Sequence, residues 1–256
     1  MPAEFHAVRS LRTFEEAIEQ IAYAVRVGDL AVGDRLPPER ALATSMEISR
    51  PTLREAIHLL AHAGVLDVRP GPSGGTYVVS DSVPVELLQM RIRTHVNEVA
   101  AVLEARRALE PQVAQIARVY ATQADYDRLQ ATIDGQWSAL DNRERLIQLD
   151  ERFHLCIARS TNNQVIVELM QALLGRLAIA WDIGKRLPKD DERGIKLHEE
   201  TLRALKTRDA DKVATAMDRH LALLEHLWED ETGRPRLRHA SRTAQRRTTE
   251  PRVADR

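Results

Sequence analysis

The chain is poor in residues that staple, stack or span. A single cysteine, Cys156, occurs in 256 residues; it can close no disulfide within the chain and cannot build a thiolate metal cluster alone. Any metal is therefore expected to use histidine and carboxylate ligands. Aromatic residues make up only 4%, while Ala, Leu, Glu and Arg dominate, a balance that favours helices over sheets. No run approaches the roughly 18–20 uncharged apolar residues of a membrane span. The longest apolar stretch, around Leu173–Trp181, is broken by Arg176. Glu4 precedes any apolar residue run and no signal-type hydrophobic segment follows it, so a cytoplasmic protein with no membrane partner is expected.

What is present reads as globular. Apolar residues at 43% and charged residues at 29% exclude a wholly disordered or collagen-like chain. The length suits one large domain or two modest ones. The net charge of -1 hides an uneven distribution. Residues 1–80 carry eight arginines against ten acids, and residues 232–256 carry eight against two. Nucleic-acid binding by the first 80 residues must therefore depend on local placement of arginine, since bulk charge there is negative.

Residues 10–27 place Leu11, Phe14, Ile18, Ile21, Ala22 and Val25 on one helical face, and the pattern stops at Gly28. Leu36-Pro37-Pro38-Glu39-Arg40 opens a short helix to about Met46, with its prolines confined to the first turn. Ser49 is a good N-cap for a third helix. Its inward stripe, Leu53, Ala56, Ile57 and Leu60, runs until Gly64. Two β-prone pieces follow, Leu66–Arg69 and Thr76–Val79, joined by a Pro- and Gly-rich insert, which predicts a hairpin with an exposed tip. The expected organisation is a winged helix-turn-helix over 8–80, a linker over 81–90 and an antiparallel bundle of six or seven helices over 91–231. An Arg-rich, disordered tail over 232–256 completes it.

In a helix-turn-helix the second helix enters the major groove. Arg50, Arg54 and His58 lie at i, i+4 and i+8, turned away from the apolar stripe, with Thr52 nearby. Arginine near a helix start can pair bidentately with guanine, and Ser49 or Thr52 can donate to phosphate or base. Arg40 is placed to touch backbone or groove, and Gly71 lets the wing tip approach a minor groove. The plainer alternative is a solvated helix face with Glu55 as partner. The segments "GDLAVGDRLPPERALA", "ISRPTLREAIHLLAHAGVLDVRPG" and "SGGTYV" resemble the winged-helix domain of GntR-type bacterial transcription regulators. That resemblance implies DNA contacts at Arg40, Ser49, Arg50, Thr52, Arg54 and Gly71.

Bundle helices should be apolar inside, so polar residues there require a reason. Asp150 and His154 lie one turn apart beside Leu146, Phe153 and Ile157; His198 shares a stripe with Ile195, Leu202 and Leu205; His220 shares one with Met217, Leu223 and Leu224. Three helices thus point an imidazole inward. Neutral imidazole plus carboxylate suits a divalent Zn, Mn, Ni or Fe ion with open positions that accept a small carboxylate. Hydrogen-bonded core histidines are the alternative. The motifs "LEARRALEP", "DERFH", "KLHEETLRAL" and "AMDRHL" resemble the FCD ligand-binding domain of the FadR-like branch. By that resemblance the metal ligands are Asp150, His154, His198 and His220, and Arg106 pairs with an effector carboxylate. Arg106 could instead simply pair with Glu110 at i+4. Family members that bind fatty acyl-CoA lack this metal set, which argues against a long-chain thioester. Asn163 is expected to cap a helix.

The function expected is a ligand-responsive regulator that binds a palindromic operator on double-stranded DNA as a homodimer. The competing class is a metalloenzyme built on a bundle. Di-iron bundles need two Glu-x-x-His pairs plus two further carboxylates, and only Glu151-Arg152-Phe153-His154 has that spacing. With no general base evident, no enzyme is expected.

Overall fold

The computed structural model describes residues 10–71, 74–84, 87, 96–180 and 188–233. The chain forms two compact units, Met1–Arg93 and Thr94–Arg256. Half of the expected linker and the expected Arg-rich tail beyond Gly233 lie outside the described residues.

In the first unit α1 (Ser10–Arg26) buries Ala17, Ile18, Ile21, Ala22 and Val25. It stops where Gly28 turns left-handed at φ 81°. Helix α2 (Glu39–Ser45) begins directly after Pro38 and buries Ala43. Helix α3 (Arg50–His62) is capped by the Ser49 hydroxyl, which accepts from the Thr52 N–H at 3.2 Å, and it buries Leu53, Ala56, Ile57 and Leu60. Strands β1 (Leu66–Arg69) and β2 (Gly75–Val78) pair antiparallel, with Leu66 opposite Val78 and Arg69 opposite Gly75. The second strand is shifted one residue from the Thr76–Val79 expected, because Gly75 completes the ladder with Arg69. Arg35 adds an isolated antiparallel bridge to Tyr77 that local patterning did not reveal.

The second unit contains six helices among the described residues: α4 (Val96–Tyr120), α5 (Gln123–Trp137), α6 (Arg143–Arg159), α7 (Gln164–Ala180), α8 (Pro188–Thr207) and α9 (Ala210–Thr232). Their ends follow side-chain chemistry. Thr122 and Asp125 form a reciprocal capping box, Asn142 accepts from the Arg145 N–H, and Asp209 caps α9. The Asn163 side-chain oxygen accepts from Val165 and Ile166 N–H at 3.1 and 3.4 Å, the capping geometry expected of it. Helix α8 begins earlier than the Gly184–Asp191 break suggested. Pro188 suits a first helical position, and Asp190 and Asp191 favour the positive end of the helix dipole. Helix α4 packs against α6, α7, α8 and α9, so its inward face looks into the centre of the bundle. Among the described residues no helix is long and apolar enough to cross a membrane.

Candidate metal centre and nucleic-acid interface

In the first unit the inward stripe of α3 leaves Arg50, Arg54 and His58 on the outer face. The side chains of Arg50 and Arg54 are 58% and 53% exposed. Their partner is not Glu55, as the helix alone suggested. It is Glu39 at the start of α2: Arg54 donates from Nη2 to Glu39 Oε2 at 2.8 Å and from Nε to Oε1 at 3.4 Å, while Arg50 Nη2 lies 3.9 Å from Oε2. The Ser49 and Thr52 hydroxyls bond each other at 2.7 Å and so stiffen the helix start. Arg40 is exposed one residue after Glu39, and Gly71 is exposed at φ 104° in the wing turn.

The wing carries basic groups that sequence reasoning missed. The Arg69 guanidinium lies 4.4 Å from the centre of the Tyr77 ring and that of Arg35 lies 5.9 Å from it. Arg35 also donates to the Gly74 carbonyl. Arg69 and Tyr77 lie on different strands, and only the β1–β2 register brings them together.

In the second unit α6, α8 and α9 bring His154, His198 and His220 together, with one ring nitrogen of each within 4.8 Å of the others. All three are buried. Asp150, one turn before His154, borders the group: its Oδ1 is 3.4 Å from His198 Nε2 and its Oδ2 is 3.9 Å from His154 Nε2. Phe153 stacks on His198 with ring centres 4.1 Å apart, which fixes the plane of that imidazole.

Each imidazole is also held from outside. His154 Nδ1 lies 2.8 Å from Glu110 Oε2, His198 Nδ1 lies 2.8 Å from Gln136 Oε1, and His220 Nδ1 lies 3.5 Å from the Thr201 hydroxyl. Glu110 and Gln136 offer acceptor oxygens. The Thr201 hydroxyl already donates to Leu197 O, so it too is left with lone pairs to offer. Each Nδ1 thus faces an acceptor on a neighbouring helix, the outer-shell arrangement that orients a histidine towards a cation through its other nitrogen. None of these outer partners was assigned that role from sequence, because they lie on α4, α5 and α8 at separations no local pattern reports.

Arg106 takes the plainer of the two roles expected of it, a pair with Glu110, and adds a contact to His154 that the sequence did not suggest. Glu110 lies one turn away, and Arg106 Nη2 stands 3.1 Å from His154 Nε2. Burial opposes ionisation of Glu110, yet Arg106 and His154 hold its carboxyl well below the usual carboxylate range. Burial pushes His220 well below its ordinary value, and His198, His154 and Arg106 push it the same way, so it remains a neutral lone-pair donor. Arg106, Asp150, Gly194, Leu197, His198, His220 and two leucines of α9 line a cavity of about 20 Å³. That is room for about one water-sized group. The donor set, three imidazoles and a carboxylate with buttressed outer nitrogens, fits a divalent cation.

Comparison with known proteins separates the two units in the same way. Residues 13–78 match the model of bacterial regulatory proteins of the gntR family, and residues 101–223 match the FCD domain. The HTH-type transcriptional regulator YcbG of Bacillus subtilis is 32% identical over 208 residues, covering 81% of this chain and 86% of that protein. A candidate L-lactate dehydrogenase operon regulatory protein of Escherichia coli is 28% identical, covering 83% and 85%. The HTH-type transcriptional repressor NanR of Salmonella schwarzengrund is 26% identical, covering 84% and 82%. The winged unit and the helical unit that follows it in the chain therefore make this chain a DNA-binding, ligand-responsive transcription regulator of the GntR family with an FCD domain, and not an enzyme.

Proposed function

We propose that the protein acts as a homodimer on a two-half-site operator and is switched by a small carboxylate that binds beside a divalent cation. Asp150, His154, His198 and His220 would hold the cation. Arg40, Ser49, Arg50, Thr52, Arg54 and Gly71 would contact DNA. The observation that carries the sensing half is the outward anchoring of three Nδ1 atoms by Glu110, Gln136 and Thr201, which core packing alone does not require.

Buried charge sets the effector class. One guanidinium, Arg106, and two carboxylates, Glu110 and Asp150, surround the cluster. A divalent ion turns that balance to one positive charge, which a monocarboxylate neutralises. When bound, the ion supplies Lewis-acid positions for a carboxylate oxygen. Arg106 supplies N–H donors to the same group, and Glu110 keeps that guanidinium aimed at the cavity. The lactate-operon name of one relative makes short 2-hydroxy acids the first compounds to test.

A cavity of about 20 Å³ does not admit even a small organic acid. The acid therefore binds a more open bundle than the one described. A ligand that prefers one arrangement over another can shift DNA affinity, typically by roughly 1–3 kcal/mol of coupling.

The homodimer is supported by the outer faces of α4 and α7, which pack side by side. Helix α4 exposes Leu109, Ile116, Val119 and Tyr120; α7 exposes Val165 and Leu169. Exposed Glu168 and Arg176 flank Ala172 on α7, so a two-fold axis near Ala172 sets each acid opposite the partner copy's arginine.

Metal analysis and native mass spectrometry of the purified protein test the sensing half. Wild-type protein should carry about one divalent ion per chain and gain a short 2-hydroxy acid, and His198→Ala should lose the ion and weaken the acid. Full metal content in His198→Ala removes that residue from the ligand set. Wild-type protein that takes up no ion from a metal-supplemented buffer defeats the sensing proposal.

A further inference from the structure

We infer that Glu39 is a positioning residue for base recognition: it grips one edge of the Arg54 guanidinium and leaves the other edge free to read a guanine. The inference rests on the proposed role of Arg54 in contacting DNA.

Guanidinium presents five N–H groups in a planar fork. Glu39 accepts from the Nε and Nη2 side of Arg54, at 3.4 and 2.8 Å. What remains is the Nη1 and Nη2 end, the edge that matches O6 and N7 of guanine bidentately. The Arg54 side chain is half exposed, and its hydrogen bonds among the described residues run to Glu39. Glu39 itself is only 29% exposed and sits on the first residue of α2, so its backbone is fixed while it reaches across to α3. Arg50 lies 3.9 Å from the same carboxylate. One acid thus serves both arginines of the reading helix. The Arg54 hydrogen bond, the largest influence on Glu39, keeps its carboxyl ionised below the ordinary range even though partial burial opposes this.

Stability does not explain the pair, because exposed ion pairs contribute little to folding. Nonspecific affinity does not explain it either, because a carboxylate on a DNA-facing surface repels phosphate. Selectivity does. A guanidinium held in one plane before binding loses less rotamer freedom on meeting a guanine, and it is less able to swing onto a phosphate at a wrong sequence.

The test uses full-length protein carrying Glu39→Gln, with Arg54→Ala and the double variant as companions. Selection of wild type on a pool of randomised duplexes defines the preferred site. Affinities are then measured at fixed ionic strength for that duplex, its single-base variants and a random duplex. In Glu39→Gln, discrimination at one G·C pair per half-site should fall about tenfold, other positions should hold, and the random duplex should bind at least as tightly. In the Arg54→Ala background the Glu39 change should remove nothing more at that base pair. Unchanged discrimination in Glu39→Gln, with Arg54→Ala losing it, overturns the positioning role alone. A uniform loss on every duplex also overturns it, since positioning acts at one base pair. Full discrimination by Arg54→Ala overturns the underlying DNA reading and the inference with it.

Discussion

Glu110 on α4 serves two buried groups at once: it pairs with Arg106 one turn away and faces His154 Nδ1 at 2.8 Å across the bundle. An outer carboxylate of this kind orients an imidazole and raises its basicity. Glu110→Gln should weaken metal binding by about 10- to 100-fold. It should also lower the melting temperature of the metal-free protein, because Arg106 is left without its full counter-charge in a dry site. Competitive titration against a chromophoric chelator reads the first effect and thermal melting the second. An unchanged metal isotherm would show that Glu110 serves only Arg106.

The same cluster should make the metal-free protein acid-sensitive. His220 is held well below its ordinary value of 6.5, so the unfolded chain takes up a proton there before the folded one does. Its contribution to stability is complete above about pH 6.5 and declines as pH falls. Glu110, held below its ordinary value of 4.5, adds a contribution that is complete above that value and is lost beneath it. Melting temperature in the presence of chelator should therefore drop between about pH 7 and about pH 5, then drop further in stronger acid. A melting temperature that rises over the first interval contradicts the stated direction for His220.

Gly74 closes the wing turn by donating its N–H to the Gly71 carbonyl at 2.9 Å. A Cβ at Gly74 would lie 2.1 Å from the Arg69 carbonyl oxygen, a backbone atom that cannot step aside. Gly74→Ala should reshape the wing and reduce specific DNA affinity by about tenfold, while helix content and metal uptake stay unchanged. Electrophoretic mobility shift and circular dichroism, measured together, check this. Wild-type affinity in the variant would mean the wing tip makes no productive contact.

Leu169 is 56% exposed on α7, next to Glu168 and one turn before Ala172. If α4 and α7 form the dimer face, Leu169→Glu should convert the protein to a monomer in sedimentation and cost most of its operator affinity. A single head then retains only half of the contacts. A dimer of unchanged dissociation constant would place the interface elsewhere.

Much of this architecture was legible in advance because it rests on interactions between near neighbours in the chain. The Ser49 cap, the Leu53–Leu60 stripe and the glycines at 28 and 64 placed α1 and α3, and the Pro- and Gly-rich insert announced the hairpin. The start of α8 was placed late because Pro188 reads as a breaker unless it occupies a first turn. Glu55 was the expected partner of Arg50 and Arg54 because a single helix offers no other acid; Glu39, 15 residues before Arg54, became available only when α2 packed against α3.

Residue spacing was enough to show that two units of different texture follow one another, that the first presents an arginine face beside a wing, and that three helices of the second turn a histidine inward. Those features depend on spacing along one helix or across one turn, where the repeat of 3.6 residues dictates which side chains share a face. Packing between helices was needed to bring the three imidazoles together, to set Glu110, Gln136 and Thr201 against their Nδ1 atoms, and to seat Glu39 on Arg54. Each of those contacts joins separate helices, and the way one helix seats its ridges in another's grooves follows from the packing of whole faces, which no local repeat records.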